Sequence, residues 1–261
     1  MAGWYALTAI LAWEFFRYLD YVFNTITPDS FSLDFEERAV ANFIILTAVT
    51  ALSLAMFRQK RWALAAGGVV GLIYVYLFGS SYLNWTGVLL TILLFLYARR
   101  AGIDEIDQRT KINISMLIRR SAPAVIISFF VLVSFVAYQS PVATEISRSR
   151  QLPSASEKFV RSIINRTLGP QIEAESGSQK KESVIAETAR LTIQELNNLL
   201  RPYFQYAPPL LAFGLFLILW GLNWIFVWLS VLAGIAMFWI LKKTGFIRIE
   251  EYDIKGERLI V

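Results

Sequence analysis

Residues 208–241 read PPLLAFGLFLILWGLNWIFVWLSVLAGIAMFWIL, and this stretch decides the class of the fold. None of its 34 residues carries a charge. A straight helix of that length would rise about 51 Å, whereas the hydrocarbon core of a bilayer is about 30 Å thick. The only small and polar interruption near its middle is Gly221, Leu222, Asn223. We therefore predict two membrane spans joined by a tight turn, forming a helical hairpin over residues 207–241.

Composition extends this prediction to the rest of the chain. Of the 261 residues, 56% are hydrophobic and only 17% are charged, whereas soluble domains have about 25% charged residues. We predict an all-α polytopic membrane protein with about seven apolar helical segments, beginning with an N-terminal membrane region over residues 1–138. The apolar segments of that region cover residues 4–23, 39–57, 62–78, 85–98 and 122–138.

The residue types that are missing exclude several kinds of chemistry. The chain contains no cysteine and no histidine, so it has no disulfide, no thiolate nucleophile and no Cys/His metal site. Glu14 and Asp20 are the only carboxylates inside an apolar segment, and they lie on one helix rather than on two facing helices. We therefore expect a protein that is not an enzyme, with no catalytic residues, no cofactor and no metal. No nucleic-acid-binding module can be traced either, so no nucleic-acid partner is expected.

The distribution of basic residues predicts the sidedness. Residues 58–61 and 99–120 carry nine Lys and Arg between them, whereas the loops 24–38 and 79–84 carry one. Short loops rich in Lys and Arg stay in the cytoplasm, so we expect residues 139–206 to lie outside the cytoplasm. Residues 99–120 are predicted to form one or two amphipathic helices on the membrane surface. The hairpin conflicts with the charge rule, because it would place Lys242 and Lys243 outside as well. The alternative is a kinked or half-re-entrant single crossing, which would leave these lysines and the tail inside.

Residues 139–206 form the only sizeable polar region, which we predict to be a small soluble helical domain. Ser154 and Glu157 have the spacing of a capping box that opens one helix, and a longer helix covers residues 182–200. The apolar residues of these helices either pack against each other or bind a second copy or an envelope protein. The candidate interaction residues are Phe159, Ile163, Ile185, Leu196 and Leu199.

Three charges interrupt the first apolar segment. Glu14, Arg17 and Asp20 are spaced three residues apart, which places them along one side of a helix. One interpretation is structural: Glu14 and Arg17 neutralise each other near the midplane, and Asp20 lies near the outer interface. The alternative is a channel or transporter whose intramembrane polar face combines these three residues with Asn84 and Asn223.

The C-terminal tail, residues 242–261, is polar. The alternation from Phe246 to Ile249, followed by Lys255 and Gly256, is compatible with a short C-terminal β-hairpin.

From about Leu94 onward the order of features is distinctive. After a basic segment come, in sequence, a span ending at Ser140 and Pro141, a small helical region, then Arg201, Pro202 and Tyr203, then WLSVLAG (residues 228–234) and GFIRIE (residues 245–250). This order resembles a group of membrane proteins from small-genome bacteria of the candidate phyla that has no known activity. The resemblance implies a bacterial inner membrane and carries over no functional residue. We therefore predict a non-enzymatic membrane protein of the cell envelope whose soluble domain binds a partner or forms a homo-oligomer.

Overall fold

A computed structural model describes residues 2–25, 37–57, 59–107, 113–152, 154–167 and 178–245. All regular elements in these ranges are helices. The chain divides into two compact units. The first unit comprises Met1–Tyr18, Phe35–Val133 and Phe216–Val261, and the second comprises Leu19–Asp34 and Ser134–Leu215.

The described helices include six that are long and apolar enough to cross a membrane. In chain order the helices are α1 (Ala2–Thr25), α2 (Glu37–Met56), α3 (Lys60–Phe78), α4 (Tyr82–Asp107), α5 (Ile114–Gln139), α6 (Pro141–Ser149), α7 (Ser154–Thr167), α8 (Ser178–Leu200), a 3₁₀ helix (Phe204–Tyr206), α9 (Ala207–Gly221) and α10 (Asn223–Lys243). The six are α2, α3, α4, α5, α9 extended back to Phe204, and α10. The predicted number of about seven apolar segments is therefore slightly too high. The segment that drops out is α1, whose apolar sequence is interrupted by three charges.

Small residues let α3 and α4 pack closely as an antiparallel pair. A Cβ atom added at Gly71 would overlap Val88 Cγ1, and one added at Gly67 would lie 2.9 Å from Ile92 Cγ1. The two contacts advance in opposite directions along the two helices, so α4 returns beside α3. Gly68, the third glycine of this segment, faces open space. Transmembrane helices commonly approach each other through such small-residue surfaces.

One end of the first unit collects basic residues. A Cβ added at Gly102 of α4 would lie 2.8 Å from Ser121 Oγ and 3.0 Å from Ala55 Cβ, so the end of α2 and the start of α5 meet there. Since α3 begins four residues after α2 ends, it also starts at this end. We refer to it as the basic end. Its described basic residues on α3, α4 and α5 are Lys60, Arg61, Arg99, Arg100, Arg119 and Arg120.

Helix α1 lies alongside α3 from one end to the other. The rings of Tyr5 and Trp62 stack with 5.2 Å between centroids near the start of both helices. The rings of Phe16 and Phe78 lie 6.2 Å apart at the end of α3. The two helices are therefore parallel, and the first apolar segment traverses the first unit despite its charges.

Helix α10 runs toward the basic end. Near its start, the ring of Phe226 lies 5.3 Å from that of Phe43 in the first part of α2. Further along, Gly234 packs against Ile118 at the start of α5. Because the helix continues in the same direction, the two lysines that end α10 lie at the basic end.

Between α9 and α10 the helix bends instead of turning back. The Leu222 N–H donates to the Ile218 C=O at 3.1 Å, and the Phe226 N–H donates to the Leu222 C=O at 3.5 Å. Leu222 keeps right-handed helical backbone angles, φ −85° and ψ −4°. The helix is therefore bent at Leu222, where a tight turn was predicted. Residues 216–243 do not form the predicted helical hairpin.

The basic segment 99–120 does not form the separate surface helices predicted for it. Helix α4 continues through Arg99 and Arg100, and α5 already includes Arg119 and Arg120, so the basic pairs extend two long helices. Leu117 of this segment is buried, so it contributes to packing between helices. Residues 108–112 lie outside the described ranges, as do residues 246–261, where the short β-hairpin was predicted.

The second unit contains α6, α7, α8 and the 3₁₀ helix. Ser140 caps α6, because its hydroxyl accepts the Ala143 N–H at 3.3 Å, and the proline after it suits the first helical position. Helices α7 and α8 pack around a small core made of Ile164, Ile185 and Ala189.

Replacing Gly71 by alanine is expected to lower the thermal unfolding temperature of the detergent-solubilised protein, because the new methyl group overlaps Val88. Overpacking of this kind costs about 1–3 kcal/mol. Gly68→Ala is the matched control: it gains the same helix propensity, about 1 kcal/mol, and its methyl group meets nothing within 4 Å. Tryptophan-fluorescence melts would measure both variants. A Gly71→Ala protein as stable as Gly68→Ala would contradict the close packing of α3 on α4.

Candidate functional site

Glu14 and Arg17 of α1 lie at the end of the first unit opposite the basic end. The ring of Trp13 lies 5.8 Å from that of Tyr76, and Phe16 contacts Phe78, the last residue of α3. Glu14 lies between these two contacts, so its Cα is within about 5 Å of the end of α3 along the helix axis. Glu14 therefore lies close to the level at which α3 ends, and its position near the midplane stays a prediction.

The predicted ion pair between Glu14 and Arg17 is not formed. Both side chains are exposed, and within the described ranges neither has an oppositely charged group within 4.0 Å. Asp20 instead accepts a hydrogen bond from Asn24 Nδ2 at 2.7 Å. Charged groups near the end of a membrane helix reach headgroups and water, so they need no buried partner.

Asn84, a member of the predicted polar face, is a buried residue that closes the turn between α3 and α4. Its Nδ2 donates to the C=O of Phe78 at 3.0 Å and to the C=O of Gly79 at 2.8 Å. Its Oδ1 accepts the Tyr74 hydroxyl at 3.0 Å. The last carbonyls of a helix have no partner within that helix, and Asn84 supplies one. These hydrogen bonds give Asn84 a structural role.

The five residues of the predicted polar face are not united into one surface. Asn223 begins α10, and its Oδ1 is buried without a hydrogen-bond partner in the described part of the chain. Asn84 is buried in the turn, whereas Glu14 and Arg17 are exposed. Some of these side chains are therefore buried and others exposed, so they do not line one polar path through the helices.

The candidate interaction residues of the second unit separate into buried and exposed ones. Ile185 is 4% exposed and belongs to the core with Ile164. Ile163 and Leu199 are 48% and 68% exposed, so the predicted packing of the two helices through these two residues is wrong. The side chain of Phe159 lies outside what the structure describes.

Helix α8 presents apolar side chains on its exposed surface. Leu196 is half-buried beside the core side of the helix. Leu191 is 52% exposed, and Val184, seven residues earlier, is exposed on the same side. We refer to Val184, Leu191 and Leu199 as the apolar surface of α8.

A buried carboxylate at the basic end escaped the sequence reasoning. The side chain of Glu105 is 5% exposed, and its Oε2 lies 3.3 Å from Arg120 Nε. The signal that could have found it is helical spacing, because Gly102 and Glu105 lie near one side of α4, the side that packs on its neighbours. Among the residues with described side chains, no three Asp or Glu come together as a group that could hold a metal ion.

The chain, with its six long apolar helices, is compatible with a multi-pass integral membrane protein. No family model, no curated protein and no solved structure matches it. Functional proposals for it rest on the geometry and charge of the described residues.

Proposed function

We propose that this chain is a non-enzymatic integral membrane protein of the cell envelope and that residues 139–206 are its interaction domain. The observation that carries the proposal is the apolar surface of α8. It stands beside a small core whose described buried residues are Ile164, Ile185 and Ala189. A helix pair this small buries too little apolar area to be stable alone, so covering its exposed leucines would stabilise it.

A second copy of the chain is the simplest partner for this surface. Val184 and Leu191 are seven residues apart, the repeat by which helices pair along a shared apolar seam. An envelope protein with a complementary apolar helix is the other partner class that this surface fits. With either partner, the function of this domain is to bind another protein chain.

The sidedness follows from the basic end. Helices α3 and α5 start there, α2 and α10 end there, and Lys and Arg retain short loops in the cytoplasm. The basic end therefore faces the cytoplasm in this proposal, and α5 leads away from it. Residues 139–206, which follow α5, accordingly belong outside the cytoplasm.

A cysteine at Asn165 is expected to react with a membrane-impermeant maleimide in intact spheroplasts, because this position is exposed on α7. A cysteine at Gln59, next to the start of α3 at the basic end, is expected to react only after lysis. The chain has no native cysteine, so each label reports one position. Labelling of position 59 but not 165 in intact cells would reverse the proposed sidedness.

The combined substitution Leu191→Glu and Leu199→Glu is expected to dissociate the full-length protein in detergent, as measured by light scattering after size-exclusion chromatography. Burying two leucines is worth about 3–6 kcal/mol, so their loss would weaken self-association at least about 100-fold. Gln194→Glu adds the same kind of charge at an exposed polar position of α8 and serves as the control. An unchanged mass for the double variant would show that this surface is not the interface. A monomeric wild-type protein would exclude the second copy as the partner.

A channel or transporter is less well supported, because Asn84 is engaged in a turn and Glu14 and Arg17 are exposed near the end of α3. Glu14→Gln and Arg17→Gln, singly and together, are expected to express and melt like the wild type. Asn84→Leu is expected to lose about 1–3 kcal/mol, because it removes the hydrogen bonds to the Phe78 and Gly79 carbonyls and to the buried Tyr74 hydroxyl. Reconstituted liposomes with an ion-flux readout would decide between the two functions. Wild-type flux that disappears in a well-folded Glu14→Gln, Arg17→Gln protein would contradict the non-transporting role.

A further inference from the structure

Glu195 lies within the apolar surface of α8. It is four residues after Leu191 and four residues before Leu199, so the three side chains follow one another along one side of the helix, about one turn apart. Leu191 and Leu199 are 52% and 68% exposed, and Glu195 is exposed as well. The surface therefore presents a carboxylate between two leucines.

Within the described part of the second unit, no basic group neutralises Glu195. It has no described Lys or Arg nitrogen within 4.0 Å. Arg190, the nearest arginine of α8, is five residues away, and five residues turn a helix by about 140°, so it projects from a different side. On α7, which packs against α8, Arg161 is 3.9 Å from Glu157. In the single chain, the Glu195 carboxylate is therefore stabilised by water.

The other described arginines near α7 also lie away from Glu195. The segment before α7 contacts α8 where the Leu152 N–H donates to Asn197 Oδ1 at 2.8 Å. Asn197 is two residues from Glu195 and so projects from nearly the opposite side of α8. Arg150, which belongs to the same segment, approaches α8 from that opposite side. Arg166 is near the end of α7, about 18 Å of rise from the start of that helix.

Pairing with a second copy would place carboxylates opposite one another. If two copies of α8 lie parallel with Leu191 opposite Leu191, then Glu195 lies opposite Glu195. If they lie antiparallel with Leu191 at the centre, Glu195 lies opposite Glu187, because these two glutamates are equally far from Leu191 along the chain. Glu187 is exposed too. Like charges repel, and the approaching leucines exclude the water that hydrates them, so both arrangements penalise the charged form of Glu195.

We propose that self-association through the apolar surface of α8 is coupled to the protonation of Glu195. This inference rests on the second copy being the partner in the proposed function. A neutral carboxyl group loses less hydration on burial than a carboxylate, and it does not repel the glutamate opposite. The associated form therefore binds more protons than the separated copies. Association strengthens as the pH falls, and it weakens as the pH rises and Glu195 releases its proton.

Size-exclusion chromatography with light scattering, run on the full-length protein in detergent over a range of concentrations at pH 5 and pH 7, would test this coupling. The wild type is expected to associate at least about tenfold more tightly at pH 5, since each proton taken up changes the association constant by up to about tenfold per pH unit. Glu195→Gln is expected to associate more tightly than the wild type at pH 7 and to lose most of the pH dependence, because the amide is neutral at both pH values.

Glu145→Gln is the matched control, because it removes an exposed carboxylate from α6 in the same unit. It is expected to keep the pH dependence of the wild type. Since Glu195 is exposed, glutamine at this position disturbs no packing within the single chain.

The outcomes separate the coupling from the self-association on which it rests. Association that has the same pH dependence in Glu195→Gln and in the wild type would overturn the coupling and leave the second copy as the partner. Equal effects of Glu195→Gln and Glu145→Gln would trace the pH dependence to net charge and overturn the coupling as well. If the wild type and Glu195→Gln are monomeric at both pH values, the second copy is not the partner, and both proposals fail.

Discussion

The hydrocarbon core of a bilayer excludes water over about 30 Å, and the order of the first unit depends on this constraint. Its exposed charges stand at two ends: Glu14 and Arg17 near the end of α3, and the lysines and arginines at the basic end. Between these ends, several polar side chains find acceptors on their own helix. The hydroxyls of Thr8 and Thr47, for example, donate to carbonyls one turn earlier at 3.0 and 2.8 Å. In the same way, the side chain of Asn84 donates hydrogen bonds to the carbonyls at the end of α3.

The path of residues 208–241 shows what length alone cannot decide. Thirty-four uncharged residues exceed a single span, but the excess can either fold back or continue beyond the hydrocarbon core. Leu222 keeps helical backbone angles, so the chain continues through it with a bend. The charge pattern had pointed the same way, because α10 then ends with its two lysines at the basic end. Charge was the better guide here, since lysine placement depends on the membrane side and apolar length does not.

Much of the first unit could be predicted from hydropathy, whereas partner choice could not. The segment predicted at 39–57 is the helix Glu37–Met56, because a long apolar run in a membrane has few alternatives to a helix. Hydropathy could not show that Asn84 completes a turn. A polar residue in an apolar segment changes the hydropathy in the same way whether it lines a conducting path or caps a helix. It also placed Ile163 instead of Ile164 in the core of the second unit. Neighbouring apolar residues on a short helix leave its phase ambiguous by one residue.

The arginines at the basic end show how one set of charges can have two roles. The positive-inside rule requires only that Lys and Arg remain on one side, and it applies equally to Lys60, Arg61 and Arg99. It gives no reason for the Nε of Arg99 to be buried without a hydrogen-bond partner in the described chain, or for the buried Glu105 to lie 3.3 Å from Arg120 Nε. A surface potential acts at a distance and needs no particular donor, whereas a buried N–H is satisfied only by an acceptor at hydrogen-bond distance. A charge bias therefore needs only the charge of these residues, whereas the Glu105–Arg120 pair needs their positions on α4 and α5.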